Sequence, residues 1–255
     1  MATKNYSYLG KGPIYAGVVG GALLPVGNCS ALQFAVSESK INQPDYTSAG
    51  GGSANSVSRV DDVTGSMTLL DLSPKNLSLA YRGTTREVTG GVNVTGEAHT
   101  AYPNALLAFV NTPDVSDTAD IVATLDPSGS PVVLVENTDY EVTRAGVVFL
   151  EGSTNITDAV DGHNVEVDYP KAESVVMEAL VSSGQEYRLI FDGLNEAQSG
   201  KAVTISAHRI KFSPTAGTSF IGDEFAELPL EFTVLSDSTI AGADISKFFK
   251  VAMEQ

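Results

Sequence analysis

The chain has 255 residues, which is enough for one large domain or two small ones with a substantial hydrophobic core. Hydrophobic residues make up 42% of it, a composition typical of a globular chain rather than a disordered one. The formal net charge of −16 argues against a basic surface that grips nucleic acid or anionic lipid.

The N-terminal segment lacks the basic-then-apolar pattern of a signal peptide. The apolar run "AGVVGGALLPVG" is short and is broken by Gly and Pro, so it does not predict a membrane span. We therefore expect synthesis in the cytoplasm and no membrane partner. Cys29 is the only cysteine, which excludes an internal disulfide and favours a small buried hydrophobe.

The segment 45–59, "DYTSAGGGSANSVSR", contains almost no large apolar side chain. A Gly/Ser-rich connection of this length is uncommon inside a compact β domain, and it is usually functional or mobile. We expect a long loop here, followed by a strand from about Val60.

Alternation of apolar and polar residues with a period of two dominates the remaining sequence. In "EYRLIFDG", for example, Tyr187, Leu189 and Phe191 fall on one face, and "ELPLEFTVL" has the same pattern. The stretches "VDDVTGSMTLL" and "KAVTISAHRIKF" are long enough for strands of about ten residues and carry Ser and Thr on one face. The patterns predict a mainly β fold whose strands have one solvent-exposed face.

One short helix is predicted in "DLSPKNLSLAYRG". Ser73 is a suitable N-cap, Pro74 fits the first helical position, and Gly83 fits the stop. The C-terminal segment "DISKFFKVAMEQ" fits either a strand or a helix, because Phe248 and Phe249 satisfy both periods. We expect it to be an arm that docks elsewhere.

The negative charge is concentrated in the centre of the chain. Residues 111–170 contain 12 Asp and Glu against one basic residue, a balance of −11; the rest holds 31 − 12 = 19 acidic and 15 − 1 = 14 basic residues, a balance of −5. Turn sequences such as "DPSGSP" and "VDGHN" punctuate this segment. We expect a small all-β insertion over 111–170 that interrupts a main domain of residues 1–110 and 171–255.

No chemical motif in the sequence predicts a catalytic residue, a cofactor or a metal site. In "NEAQSGKAV" the first Gly and the Ser/Thr of a phosphate loop are missing. Three histidines at separated positions offer few general bases, namely His99, His163 and His208. The aspartates of "DVSDTAD" are more typical of a solvated turn than of a calcium loop. We therefore expect a protein that is not an enzyme.

Four stretches in chain order carry a resemblance: "VGNCSALQFAVSESKINQPDYTSAGGG", "VTGSMTLLDLSPKNLSLAYRG", "YRLIFDGLNEAQSGKAVTISAHRIKFSP" and "FIGDEFAELPLEFTVLSD". They cover most of residues 26–237, and the elements "DLSPKNL" and "AELPLEFTVL" are the most specific. Together they resemble the major tail tube proteins of long-tailed, non-contractile (siphovirus-type) bacteriophages. The acidic segment, with "NTDYEV" and "DGHNVEVDYP", resembles β modules that recur in phage tail proteins.

The resemblance implies a tail-tube β-barrel or sandwich fold and a structural role in the virion. Six copies would form a ring, each giving four strands to a shared inner barrel, and stacked rings would conduct double-stranded DNA into the host without binding it specifically. Roughly 24 strands, about 4.8 Å apart and tilted near 40°, give a backbone diameter of about 48 Å, which admits a duplex. The implied partners are the chain itself, a tape measure protein, and tail terminator or tip proteins.

Under this interpretation, particular residues acquire roles in assembly. The glycine loop would be mobile in the free subunit and would become ordered against the next ring, through Asp45, Tyr46, Thr47, Gly50, Gly51, Gly52 and Arg59. A wall rich in Ser, Thr and acidic groups would not retard DNA, because it lacks phosphate-neutralising cations; its candidates are Thr64, Ser66, Thr68, Thr204 and Ser206. The N-terminal arm and a C-terminal arm with Phe248 and Phe249 are further candidates for contacts between rings. We expect the acidic insertion on the exterior of the tube.

Other classes stay open. An all-β carbohydrate-binding or adhesin-like module fits the strand-rich pattern and three tyrosines expected to be exposed, Tyr46, Tyr140 and Tyr169. A hydrolase with an acid pair assembled in space is a second alternative. Among phage proteins, a capsid decoration protein or a tube subunit of a contractile system also fits.

Overall fold

The computed structural model describes residues 6–47 and 49–254. Within these ranges the chain is mainly β with one α-helix, as the sequence predicts, and its strands form four sheets, none of which closes into a barrel. Two compact units are present: unit 1 comprises the chain up to residue 85 and from 177 onward, and unit 2 is Arg86–Val176.

The strands, numbered in chain order, are β1 (Gly10–Lys11), β2 (Ile14–Val18), β3 (Leu24–Pro25), β4 (Cys29–Pro44), β5 (Ser53–Leu69), β6 (Thr84–Val88), β7 (Asn93–Ala101), β8 (Leu106–Ala108), β9 (Val122–Leu125), β10 (Val132–Val133), β11 (Tyr140–Thr143), β12 (Gly146–Phe149), β13 (His163–Pro170), β14 (Ser174–Glu178), β15 (Glu186–Asn195), β16 (Lys201–Phe212), β17 (Leu228–Leu235) and β18 (Phe249–Met253). Two short 3-10 turns lie at Thr118–Asp120 and Glu196–Gln198. The boundaries between the two units fall within β6 and β14, which pair with each other.

Unit 1 is built on a nine-stranded sheet with the order β3-β2-β15-β16-β17-β5-β4, to which β1 adds on β15 and β18 on β16. Directly paired residues share a face, so the register defines one apolar face, on which Leu228 pairs with Leu69, and Leu230 with Met67. These four side chains are at most 1% exposed. The alternation in β15 and β17 marks the same face, as the sequence predicts.

The helix α1 (Pro74–Ala80) begins as predicted, because the hydroxyl of Ser73 accepts a hydrogen bond from a first-turn backbone N–H at 3.2 Å. It ends before the predicted stop. Arg82, not Gly83, takes the left-handed conformation (φ 47°), and the N–H of Gly83 reaches back to the carbonyl of Ser78 at 2.8 Å. Leu79 and Ala80 are buried in the core of unit 1.

Unit 2 holds two antiparallel sheets of its own, with the orders β10-β9-β13-β7 and β11-β12-β8. Its separate core is dominated by aliphatic and aromatic side chains, namely Ala101, Leu107, Ile121, Ala123, Leu134, Tyr140, Val147, Phe149, Ile156, Val165, Val167 and Tyr169. The boundary expected near Val110 falls inside this unit, because β7 pairs with β13 and β8 with β12.

Candidate assembly surfaces

The outer parts of β4 and β5, residues 36–44 and 53–62, form a two-stranded ribbon that we call the distal ribbon. Residues 53–62 are all exposed, and so are all of 36–44 except the half-buried Ser39. The predicted loop 45–59 is therefore wrong in extent. Strand β5 begins at Ser53, and Arg59 pairs with Ser39. The sequence did not predict this part of the strand, because both faces of the ribbon are exposed and its residues therefore show no apolar alternation.

The connection at the tip of the ribbon is residues 45–52, of which Ser48 lies outside the described residues. The N–H of Asp45 donates to the carbonyl of Gly52 at 2.9 Å. The Asp45 carboxylate also accepts from the N–H and the hydroxyl of Thr47, at 2.7 and 2.6 Å. Gly50, Gly51 and Gly52 have φ of 124°, 72° and 134°, which explains the glycine run: the turn needs backbone conformations that L side chains rarely adopt.

Several apolar side chains of the ribbon have no cover in the single chain. Ile41 and Val57 form a directly opposed pair and are 60% and 51% exposed. Tyr46 at the tip is 90% exposed. A two-stranded ribbon is only marginally stable in water by itself, and an uncovered edge is a ready site for pairing with another chain. The distal ribbon is thus a candidate contact surface.

The five candidate wall residues lie together on one face of the nine-stranded sheet, opposite the core. On β5, Thr64, Ser66 and Thr68 alternate with the buried core residues, and on β16 Thr204 and Ser206 belong to the same polar face through the register of β15, β16 and β17. Four of them are exposed or half-buried. Ser206 is only 3% exposed, and its hydroxyl has no hydrogen-bond partner.

This polar face is more basic than the sequence suggested. On β5 and β15–β18 it carries four acidic residues, Asp62, Glu186, Asp192 and Glu231, and four basic residues, Arg188, Arg209, Lys211 and Lys250. Arg209 is held by Glu186 in a two-pronged ion pair with N–O distances of 3.0 and 2.8 Å. The face is therefore close to neutral, and the chain's excess negative charge lies elsewhere.

The C-terminal segment is a strand, which resolves the ambiguity of its sequence. Strand β18 pairs with β16, and Phe249 stacks on Phe34 with ring centroids 4.9 Å apart. Phe248 also packs against the core of unit 1. In the single chain the aromatic side chains of this arm are docked on their own sheet, while Val251 and Met253 are 48% and 55% exposed. Residues 1–5 of the N-terminal arm lie outside the described residues.

Two of the three tyrosines expected to be exposed are buried: Tyr140 is 3% exposed and Tyr169 is 1% exposed. The hydroxyl of Tyr140 donates to the carbonyl of Ile121 at 2.8 Å, and that of Tyr169 donates to the Glu97 carboxylate at 2.6 Å. Tyrosine suits such positions because its ring fills a core while its hydroxyl finds a partner. Of these three tyrosines, only Tyr46 is exposed as expected for an aromatic binding surface.

Glu97 is an extensively hydrogen-bonded carboxylate of unit 2. It accepts hydrogen bonds from Tyr169, from the N–H of Val110 at 3.0 Å and from His99 at 2.7 Å. Burial opposes the charged form, but these hydrogen bonds hold the pKa of Glu97 below its ordinary value. All its strong contacts lie within the unit, so we interpret the group as a structural anchor between β7 and its neighbours.

No metal-binding arrangement of three or more His, Cys, Asp or Glu side chains exists in the described ranges. The carboxylates of Asp114 and Asp117 instead accept from backbone N–H groups at 3.0 and 3.1 Å, as solvated turns do. Over residues 6–47 and 49–254, no helix has both the length and the apolar character that crossing a bilayer requires.

The sequence patterns did not single out one further feature, the connection between β16 and β17, residues 213–227. Phe220, Ile221 and Phe225 in this loop are 69%, 93% and 98% exposed. The signal available in the sequence was three large apolar residues set among Gly, Asp and Glu without any period.

Residues 7–252 match the family described as "Protein of unknown function UCP028589". The match spans nearly the whole chain, and the chain belongs to this family. No curated protein matches it.

Proposed function

We propose that the chain is the structural subunit of a siphovirus-type phage tail tube and assembles with copies of itself into stacked hexameric rings. The observation that carries the proposal is the open sheet of unit 1. Its outermost strand, β4, runs on into a distal ribbon whose residues 53–62 are wholly exposed. Such a sheet gains most when neighbouring copies cover its bare parts.

The polar face of the sheet would form the wall of the bore. Thr64, Ser66, Thr68 and Thr204 present hydroxyl groups there, and the charged residues of the same face balance in number. A near-neutral wall releases few counterions on contact with DNA, so it gains little affinity for the phosphate backbone. That property suits a conduit.

The resemblance supports the remaining assignments. The distal ribbon, with Tyr46 at its tip, would contact the adjacent ring, and the acidic unit 2 would lie on the outside of the tube. The exposed side chains of Val251 and Met253, on the same face of β18 as Phe249, offer a second contact surface. A tape measure protein inside the bore, and terminator and tip proteins at the ends, would be the other partners, with the virion tail as the location.

Negative-stain electron microscopy of the purified protein is the direct test. Rings or hollow filaments about 100 Å across are expected, from a barrel of roughly 48 Å plus outer layers about 10 Å thick per packed sheet. A chain that stays monomeric at high concentration and is absent from virions would refute the proposal. Glycan binding by such a monomer would favour the carbohydrate-binding class instead.

Hydrogen exchange tests the role of the ribbon separately. Amides of residues 53–59 should exchange fast in the free subunit, where only one neighbouring strand holds them, and slowly in the tube. The amides of β15, which is paired on both sides, serve as the internal control because they should be protected in both states. Equal protection of the ribbon in both states would contradict the assigned role.

A further inference from the structure

The loop 219–227 between β16 and β17 exposes far more apolar surface than a monomer needs. Phe225 is 98% exposed and Ile221 is 93% exposed, so neither side chain stabilises the fold of its own chain. The same loop carries Asp223, Glu224 and Glu227, and no basic residue. Large aromatic side chains presented in this way are typical of contact surfaces.

A groove elsewhere in unit 1 has the complementary properties. It is open, has a volume of about 790 Å³, and lies between the start of β4 and the segment that contains β1. Its lining is mixed: Ile14, Leu32, Leu70, Phe191 and Ile205 contribute apolar side chains, and Tyr8, Asn28 and Ser30 contribute polar groups. Among the described residues that line it, Lys11 is the only charged one. The volume lies within the range of roughly 300–1,000 Å³ that holds drug-sized molecules, so two large side chains fit inside.

We propose that the loop 219–227 of one copy inserts Phe225 and Ile221 into this groove of a second copy. The inference rests on the proposed function, since it names the surfaces through which copies meet. The groove has room for both side chains and offers them apolar contacts within its mixed lining, and the acidic loop would bring its carboxylates to Lys11.

The loop and the groove are different surfaces, so the contact is heterologous. Each copy would offer a loop to one neighbour and a groove to another, and contacts of this kind close into rings or continue as helical filaments. An isologous pair, by contrast, would stop at a dimer. The inferred contact therefore has the symmetry that a ring requires.

Assembly of variants at exposed positions tests the contact without disturbing the fold. Phe225→Ser removes the aromatic side chain that would be buried in the contact. Ser30→Trp, at an exposed position, fills the groove that would receive it. Each substitution should raise the concentration needed for assembly about tenfold or more. Val160→Ser in unit 2 is the matched control, since Val160 is 84% exposed. Thermal unfolding of all three variants should match the unaltered protein; assembly of Phe225→Ser at the unaltered concentration would overturn the inference.

Cross-linking distinguishes failure of the contact from failure of the tube. Ser30 lines the groove at an exposed position, whereas Cys29 beside it is half-buried against the core. In a Cys29→Ala background, Phe225→Cys combined with Ser30→Cys should be joined between copies by a short bismaleimide, and omitting Ser30→Cys should abolish the product. Val160→Cys should give no such product. Dimer-mass or larger products without rings would retain the contact and refute the tube, whereas rings without any intercopy product from Phe225→Cys would refute the contact alone.

Discussion

The strands β4 and β5 pair along their whole length, with a register shift between Ser37 and Glu38, but their two halves differ in what surrounds them. In the basal half, Val63, Met67 and Leu69 are 4%, 1% and 0% exposed and face the core of unit 1. In the distal half, residues 53–62 are all exposed. The basal part of β5 pairs with both β4 and β17, whereas the distal part pairs with β4 alone, so the two halves differ in strand pairing as well as in side-chain burial. The distal half therefore needs a partner to be as stable as the basal half.

The largest effect is expected from removing a side chain that anchors the basal half. Phe232 of β17 is 1% exposed, pairs with Gly65 of β5, and packs edge-on against Phe34 and Phe212 with ring centroids 5.7 and 5.9 Å apart. Phe232→Ala should lower the free energy of unfolding by about 3–5 kcal/mol, because it removes aromatic contacts and leaves a cavity. Chemical denaturation of the free subunit measures this.

The distal counterpart of that substitution is Ile41→Ala. Because Ile41 is 60% exposed and the directly opposed Val57 is itself 51% exposed, truncating Ile41 should change the free energy of unfolding by no more than about 0.5 kcal/mol. A larger loss would mean that the distal ribbon is packed against something in the free subunit, and the comparison between the two halves would fail.

An intermediate effect is expected from adding a methyl group to the basal half. A Cβ at Gly65 would collide with the ring of Phe232 and with the carbonyl of Gln33. Gly65→Ala should therefore cost about 1–3 kcal/mol of stability through overpacking, again read from the denaturation midpoint. Ser58→Ala, at an exposed position of the same strand, is the control and should be close to neutral. If Gly65→Ala were neutral as well, the basal half would not be tightly packed.

The same contrast explains which parts of the structure the sequence could predict. The sequence predicted strands β15 and β17 because one face of each is buried, which gives an apolar period of two. It predicted the start of α1 because Ser73 caps the helix with its own side chain. The sequence of the distal ribbon has no apolar alternation, because both faces of the ribbon are exposed to solvent.

Tertiary context decided the rest of the candidate site. Tyr140 and Tyr169 look like surface residues beside their acidic neighbours, yet buried partners satisfy their hydroxyl groups. The sharing of one face by Thr64 and Thr204 depends on the order of β5, β17 and β16 in the sheet, which no local pattern specifies. The charge balance of that face likewise needed the register.

The smallest effect on global stability, and the most informative one, is expected at the tip of the ribbon. Gly51 has φ 72°, and a Cβ there would meet no atom within 4 Å, so Gly51→Ala adds backbone strain of about 1 kcal/mol without a clash. If the distal half opens locally before the core unfolds, this strain should accelerate amide exchange in residues 53–57. The free energy of unfolding should stay within about 0.5 kcal/mol of that of the unaltered protein. If the free energy of unfolding fell by the whole strain energy of about 1 kcal/mol, the ribbon and the core would unfold as one unit. In that case the ribbon would already be ordered before any second copy arrives.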